Sequence, residues 1–118
     1  MGYVRASVRL YNPREPSRFI EFTGIVDTGA VYTVVPRSLL EEVGLEPVER
    51  RRFKAFGGFV ERDVGVAEVE IMGRRGGVTV IFGEVDDTPV IGVTALESLG
   101  LEVDPIKGVL REATLYLL

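Results

Sequence analysis

A chain of 118 residues, 46% hydrophobic and 27% charged, holds enough material for one globular domain with a real core and not for two. Its formal net charge of −4 argues against a general nucleic-acid binder, whose footprint is basic, and no apolar run is long enough to cross a membrane as a helix. With no Cys and no His, disulfides, thiol nucleophiles, imidazole bases and ordinary zinc ligands are excluded, so acid–base chemistry falls to Asp, Glu, Lys or Tyr, and the 18 carboxylates are the best supplied.

Taken in chain order, most of the sequence reads as strands. "YVRASVRLY" alternates polar and apolar residues and is bounded by the turn-rich "NPREPS". "RFIEFTGIVDTG" is a second run and "AVYTVVP" a third. "RRFKAF" and "FVERDVGVAEVEIM" flank Gly57-Gly58, a hairpin signal. "GRRGG" reads as a further turn, "VTVIFGEV" as a strand, and "GVLREATLYLL" closes the chain. Short strands at this spacing predict a mainly β fold, a sandwich or barrel, in a single domain over residues 1–118.

Two segments break the pattern. "SLLEEVGL" from Ser38 and "TALESLGL" from Thr94 each open on a hydroxyl residue with Glu three positions on and close on Gly-Leu. Both predict short helices with a capping box, Ser38 with Glu41 and Thr94 with Glu97, ended by Gly44 and Gly100 in the left-handed conformation. The segments resemble each other, and "IVDTG" and "DTPVIG" precede them, so an internal duplication is expected.

The N-terminal "MGYVRASVRLYN" contains no signal-peptide apolar region, and the expected location is the cytoplasm. The chain has no Gln and a single Asn, and its basic charge is mostly Arg, a composition found in proteins from hot environments.

The stretch "FTGIVDTGAVYTVVP" carries the chemistry. A β-type run ends on Asp27, turns at Gly29 and resumes at once. Asp and Gly are common turn residues, and alone the tripeptide could be an ordinary turn. As a working group, Asp27 has a physical logic. Two carboxylates held side by side cannot both ionise, so the pair contains an acid and a base together. The chain has one Asp-Thr-Gly; Asp86-Asp87-Thr88 is followed by Pro89, which lacks glycine's freedom. The second carboxylate would come from a second copy, with Asp27 meeting its counterpart near a two-fold axis. Gly29 would allow close backbone approach, the Thr28 hydroxyl could lock the loop, and Ala30 keeps the site roomy. Phe56 and Phe59 could line a cleft or simply pack within the hairpin. "ERRRFK" reads as a solvated strand edge.

Over nearly its whole length the chain resembles the retroviral-type (retropepsin-like) aspartic proteases and their cellular and archaeal relatives. The residues that carry the resemblance are Asp27-Thr28-Gly29-Ala30 after an apolar lead-in, the hairpin Phe56-Gly57-Gly58-Phe59, and Val90-Ile91-Gly92 followed by the short helix. The resemblance implies a small closed acid-protease-type β-barrel with a flap hairpin, working as a homodimeric endopeptidase on peptide or protein substrates, with no cofactor, metal, nucleic acid or membrane partner. Asp27 would be the catalyst and Thr28 and Gly29 the support of its loop. Gly29, Ala30, Phe56, Gly57, Gly58, Phe59 and Ile91 would bind substrate. The chain ends, near Tyr3–Val8 and Leu115–Leu118, would pair across the dimer. The alternative is a dimeric peptide-binding or scaffold domain that kept the fold without efficient turnover.

Overall fold

Period-two alternation builds the first hairpin of the computed structural model, which describes residues 3–118. In β1 (Arg5–Asn12) Ala6, Val8 and Leu10 point into the core while Arg5 and Ser7 face out. β2 (Glu15–Val26) pairs with it antiparallel, from Arg5 opposite Ile25 to Tyr11 opposite Phe19. The connecting turn is tighter than "NPREPS" suggests. Only Pro13-Arg14 lie outside the strands, because the Asn12 side chain accepts the Arg14 N–H and donates to the Val43 carbonyl, each at 2.9 Å.

The chain then runs through β3 (Thr33–Pro36), α1 (Arg37–Glu42), β4 (Glu49–Ala55), β5 (Gly58–Ile71), β6 (Arg74–Gly83), β7 (Val90–Ile91), α2 (Val93–Leu99), β8 (Leu101–Asp104) and β9 (Val109–Glu112). Strands dominate, as the sequence predicts. Seven form one sheet in the order β1-β2-β7-β3-β6-β5-β4, and β1 also pairs with β5. Hydrogen-bonded pairing therefore passes from β1 through β2, β7, β3, β6 and β5 and returns to β1. Leu10, Val35, Leu40, Val69, Val80, Phe82, Ile91 and Leu96 fill the enclosed core. β8 and β9 form a separate hairpin after α2.

With β4 set aside, the ring of six strands is unchanged by an exchange of β1, β2 and β3 with β5, β6 and β7. β2 and β7 run parallel, as do β6 and β3, and the two short strands meet antiparallel at Val34 and Val90. Each short strand feeds a short helix. Arg18 of β2 donates to the Glu42 carbonyl at the end of α1, at 2.9 Å, and Arg74 of β6 donates to the Leu99 and Gly100 carbonyls at the end of α2, at 3.1 and 2.9 Å. Orphan carbonyls at both helix ends thus receive a guanidinium from the matching strand. Gly44 and Gly100 take positive φ, 78° and 69°, as expected. The helix starts differ from expectation. Pro36 and Gly92 occupy the N-cap positions, neither helix has a side-chain cap bond, and Ser38 and Thr94 lie inside the first turns.

"GRRGG" is not the turn. Arg74 to Gly77 are already in β6, and the turn is Met72-Gly73, with φ of 54° and 76°. Positive φ at both central positions makes this the mirror-image turn that matches the twist of a hairpin. Methionine is a poor choice there, since a side chain in the left-handed region costs about 1–2 kcal/mol and Asn tolerates it better. Met72 is exposed and contributes little packing. Met72→Asn is expected to raise stability by roughly 0.5–1 kcal/mol, visible as a higher midpoint in urea with an unchanged slope.

In the β8–β9 hairpin the buried Asp104 accepts the N–H groups of Ile106 and Lys107, both at 3.0 Å, and faces Arg111 at 3.1 Å. The Lys107 and Ile106 amides, aided by Arg111, outweigh burial and hold its carboxyl below the ordinary range. A depressed carboxylate stabilises the fold above its unfolded pKa, near 3.9, and that contribution is lost as pH falls through the folded value. Asp104→Asn keeps the acceptor oxygen and loses the charge. Thermal melts from pH 7 to pH 3 are expected to show the variant below the wild type at neutral pH, with the gap closing below about pH 4.

Candidate active site

β2 ends on the buried Val26, and the next side chain, Asp27, is exposed. The turn that follows is closed by its own carboxylate: Asp27 Oδ1 accepts the Gly29 N–H at 2.9 Å, and the Asp27 carbonyl accepts the Ala30 N–H at 3.1 Å. A Cβ on Gly29 would lie 3.2 Å from that oxygen, tighter than an ordinary contact, so the glycine lets the turn close on the carboxylate.

The loop is gripped from one side by β7 and α2. Asp27 N–H donates to the Ile91 carbonyl at 3.0 Å, which continues the parallel pairing of Ile25 with Val90 and Val26 with Ile91. In return, the Val93 N–H reaches the Ala30 carbonyl at 2.8 Å and the Thr94 N–H reaches the Val31 carbonyl at 3.1 Å. The Thr94 hydroxyl donates to the same Val31 oxygen at 2.6 Å. The buried Thr33 hydroxyl accepts the Gly92 N–H at 3.1 Å. Contact is so close that a Cβ on Gly92 would fall 2.5 Å from the Tyr32 carbonyl carbon and 2.8 Å from the Val31 oxygen. Gly92 is needed for that approach.

Asp27, Thr28 and Gly29 are brought together on an exposed loop with the half-buried Ala30. Ile91, expected to bind substrate, is turned into the core at 1% exposure and holds the loop through its carbonyl; its neighbour Val90 lines the cleft. The hairpin residues stand apart. β4 and β5 pair from Glu49 opposite Val64 to Ala55 opposite Gly58, so the turn is Phe56-Gly57 and Gly58 begins β5. Phe56 is fully exposed, Phe59 is exposed, and Cβ atoms on Gly57 or Gly58 would meet nothing within 4 Å. Phe59 stacks with Arg52, whose guanidinium lies 3.9 Å from the ring centroid.

One concavity lies under the hairpin and a second starts on the loop. A cleft of about 370 Å³ lies between β4–β5 and the wall formed by Val34, Ile81 and Val90, with Phe53, Val60 and Arg62 above. An apolar groove of about 360 Å³ begins at Thr28 and continues along Val93, Leu96, Leu101 and Val103 to Leu115. Beyond it Tyr116, Leu117 and Leu118 are exposed.

Three supports are not legible in the sequence. Thr33 reads as ordinary β-branched strand filler, Thr94 reads as a helix cap, and Tyr32 carries no signal. In the structure Tyr32 links the loop to the hairpin, edge-on to Phe53 at 6.0 Å and beside the Arg51 guanidinium.

The strand order, with the exposed Asp27 turn between β2 and β3, is that expected of a retropepsin-like fold. No protein-family model and no curated protein matches the chain. Among solved structures it is similar to the protease of simian foamy virus (mac), determined in solution, with a TM-score of 0.57 and 18% identity over 79% of this chain and 91% of that one. Likeness at that identity shows the fold.

Thr33→Val tests the loop support. It keeps the shape, removes the acceptor and leaves the Gly92 N–H buried without a partner, which costs about 1–3 kcal/mol. The expected result is a loss of stability of that size in denaturant titration, with faster amide exchange at Gly92 and Asp27.

Proposed function

We propose that this chain is an aspartic endopeptidase that acts as a two-fold homodimer. The observation that carries this reading is Asp27, an exposed carboxylate fixed by the Gly29 N–H on a turn that β7 and α2 hold from behind. One chain supplies one such group. Two copies meeting about an axis near Thr28 would set Asp27 against Asp27 of the second copy. The apolar groove from Thr28 to Leu115 and the exposed Leu115–Leu118 tail support such a contact, since burying them against a second copy removes apolar surface from water. On this reading the ring of strand pairings is the small closed barrel, β4–β5 is the flap, and the chain works in the cytoplasm.

The chemistry follows from the pair. Like charges at hydrogen-bond distance share one proton, so one carboxylate is a base while the other is an acid. The base takes a proton from water, whose oxygen attacks the scissile carbonyl. The protonated partner hydrogen-bonds to that carbonyl oxygen, and the proton taken from water goes to the leaving amine as the C–N bond breaks. No covalent intermediate forms on the protein. An extended peptide would lie in the cleft and add strand-like hydrogen bonds to its walls, with β4–β5 folding over it to exclude water.

The test is a digest of a mixed peptide library between pH 4 and 7, run with wild type and Asp27→Asn. Wild type is expected to cut best on the acid side of neutral, where the singly protonated pair dominates, and the variant to lose on the order of 10²-fold or more in rate. Specific activity is expected to fall on dilution as dimers, followed by sedimentation, dissociate. Identical fragments from both proteins would end the enzyme reading. Peptide binding without cutting would favour the scaffold alternative.

A further inference from the structure

The underside of the β4–β5 hairpin has an unusual charge pattern. Cross-strand partners share a face, so Arg51 opposite Arg62 and Phe53 opposite Val60 lie on one side of the ribbon. That side is the cleft side, because Phe53, Val60 and Arg62 roof the cleft over Val34, Ile81 and Val90, and Arg51 stands against Tyr32. Two like charges directly opposite one another weaken a hairpin. They sit on the face turned towards the cleft, although the other face carries its own compensated network: Arg50 pairs with Glu61 and Asp63, each at 3.2 Å, and Asp63 also binds Arg37.

The partners of the two cleft arginines lie at its margins. Arg51 pairs with Glu49 on its own strand, and Arg62 meets Glu84 at 3.4 Å, a carboxylate 68% exposed. Asp87 lines the cleft on the same side as Glu84, whose N–H its Oδ2 accepts at 2.6 Å. Apart from Arg62, Asp87 and Thr88 the lining is apolar. A side chain that fits has an aliphatic stem and an acidic tip, its stem against Val34, Val60, Ile81 and Val90 and its tip at the guanidinium.

Resting on the proposed binding of an extended peptide in this cleft, we propose that Arg62, backed by Arg51, selects a substrate carboxylate, so that the preferred substrates are acidic peptides with a glutamate-like group near the scissile bond. A carboxylate entering from substrate would displace the exposed Glu84 from Arg62 and form a charge-assisted bond in a site that the peptide itself helps to dry. The carboxylate could be a Glu side chain or a peptide C-terminus, and amidation separates the two.

The experiment uses octapeptides in which a single Glu is walked through an otherwise uncharged sequence, each compared with its Gln counterpart, with C-termini free and amidated, at pH 5.5–6. Cleavage is read by mass spectrometry on wild type, and binding by fluorescence anisotropy on Asp27→Asn. One Glu position is expected to be favoured about tenfold or more over Gln. Arg62→Gln should reduce that preference to near unity, Arg51→Gln should weaken it, and Arg62→Glu should transfer it to Lys. A preference confined to free C-termini assigns the carboxylate to the peptide end. Equal cleavage of Glu and Gln peptides, or a preference that survives Arg62→Gln and Arg62→Glu in folded protein, overturns the proposal while leaving the peptidase reading standing. A Glu preference in binding without cleavage supports the arginine assignment and sinks the hydrolysis.

Discussion

The site depends on a two-residue strand. Val90 and Ile91 are wedged between β2 and β3, parallel to one and antiparallel to the other, and they hold apart the two strands that flank the Asp27 loop. A tight turn connecting neighbouring strands would pair them directly. Here the intruding strand supplies the Ile91 carbonyl to Asp27 and leads into Gly92, Val93 and Thr94, whose N–H groups meet Thr33, Ala30 and Val31. Backbone groups of a loop are ordinarily satisfied by water. These are satisfied by protein, which fixes the carboxylate's position without burying the carboxylate itself. The requirement for Gly92 follows, because any side chain would separate β7 from the loop it supports.

The exchange symmetry of the topology explains where that wedge comes from. Each half offers an antiparallel hairpin, a short strand and a short helix, and each half's short strand lies beside the other half's long one. Neither half can complete the sheet alone. The matching positions of Arg18 and Arg74, each capping its own helix from the preceding long strand, extend the correspondence to individual side chains. The connecting loops differ. In the first half the loop presents Asp27 to solvent. In the second, the exposed Asp87 accepts the Glu84 N–H upstream of it, where Asp27 accepts the Gly29 N–H downstream, and Pro89 stands where the first loop has its glycine.

Much of this was legible in the sequence because it rests on local rules. Alternation located the long strands, and the glycines of positive φ at 44 and 100 marked both helix ends. The likeness of the two helix segments points to the repeat, and Asp27 stands out because a charge at the end of an apolar β-type run needs a reason. What could not be read depends on contacts distant in sequence. Thr94 has the spacing of a capping residue, yet its hydroxyl is drawn to the Val31 carbonyl because α2 abuts the loop. Ile91 sits in a recognisable motif, but period-two geometry turns it inward and Val90 outward, and only the register with β2 decides which. The "GRRGG" turn failed for a similar reason: pairing of β5 with β6 extends to Ile71 and Arg74, so the reversal falls on Met72-Gly73 and the glycine-rich stretch becomes strand.

The loop and the hairpin are held to different degrees. The loop bearing Asp27 is tied by backbone hydrogen bonds to two other elements, β7 and α2. β4 is bonded on one edge only, to β5, and Phe56 at the hairpin tip is fully exposed. Part-way along the hairpin Tyr32 meets Phe53 and Arg51. Tyr32 lies five residues after Asp27, so the segment that carries the acid is also in contact with the hairpin. Were β4–β5 to close over a bound peptide as proposed, the carboxylate would keep its place, because its turn is tied to β7 and α2 and not to the hairpin.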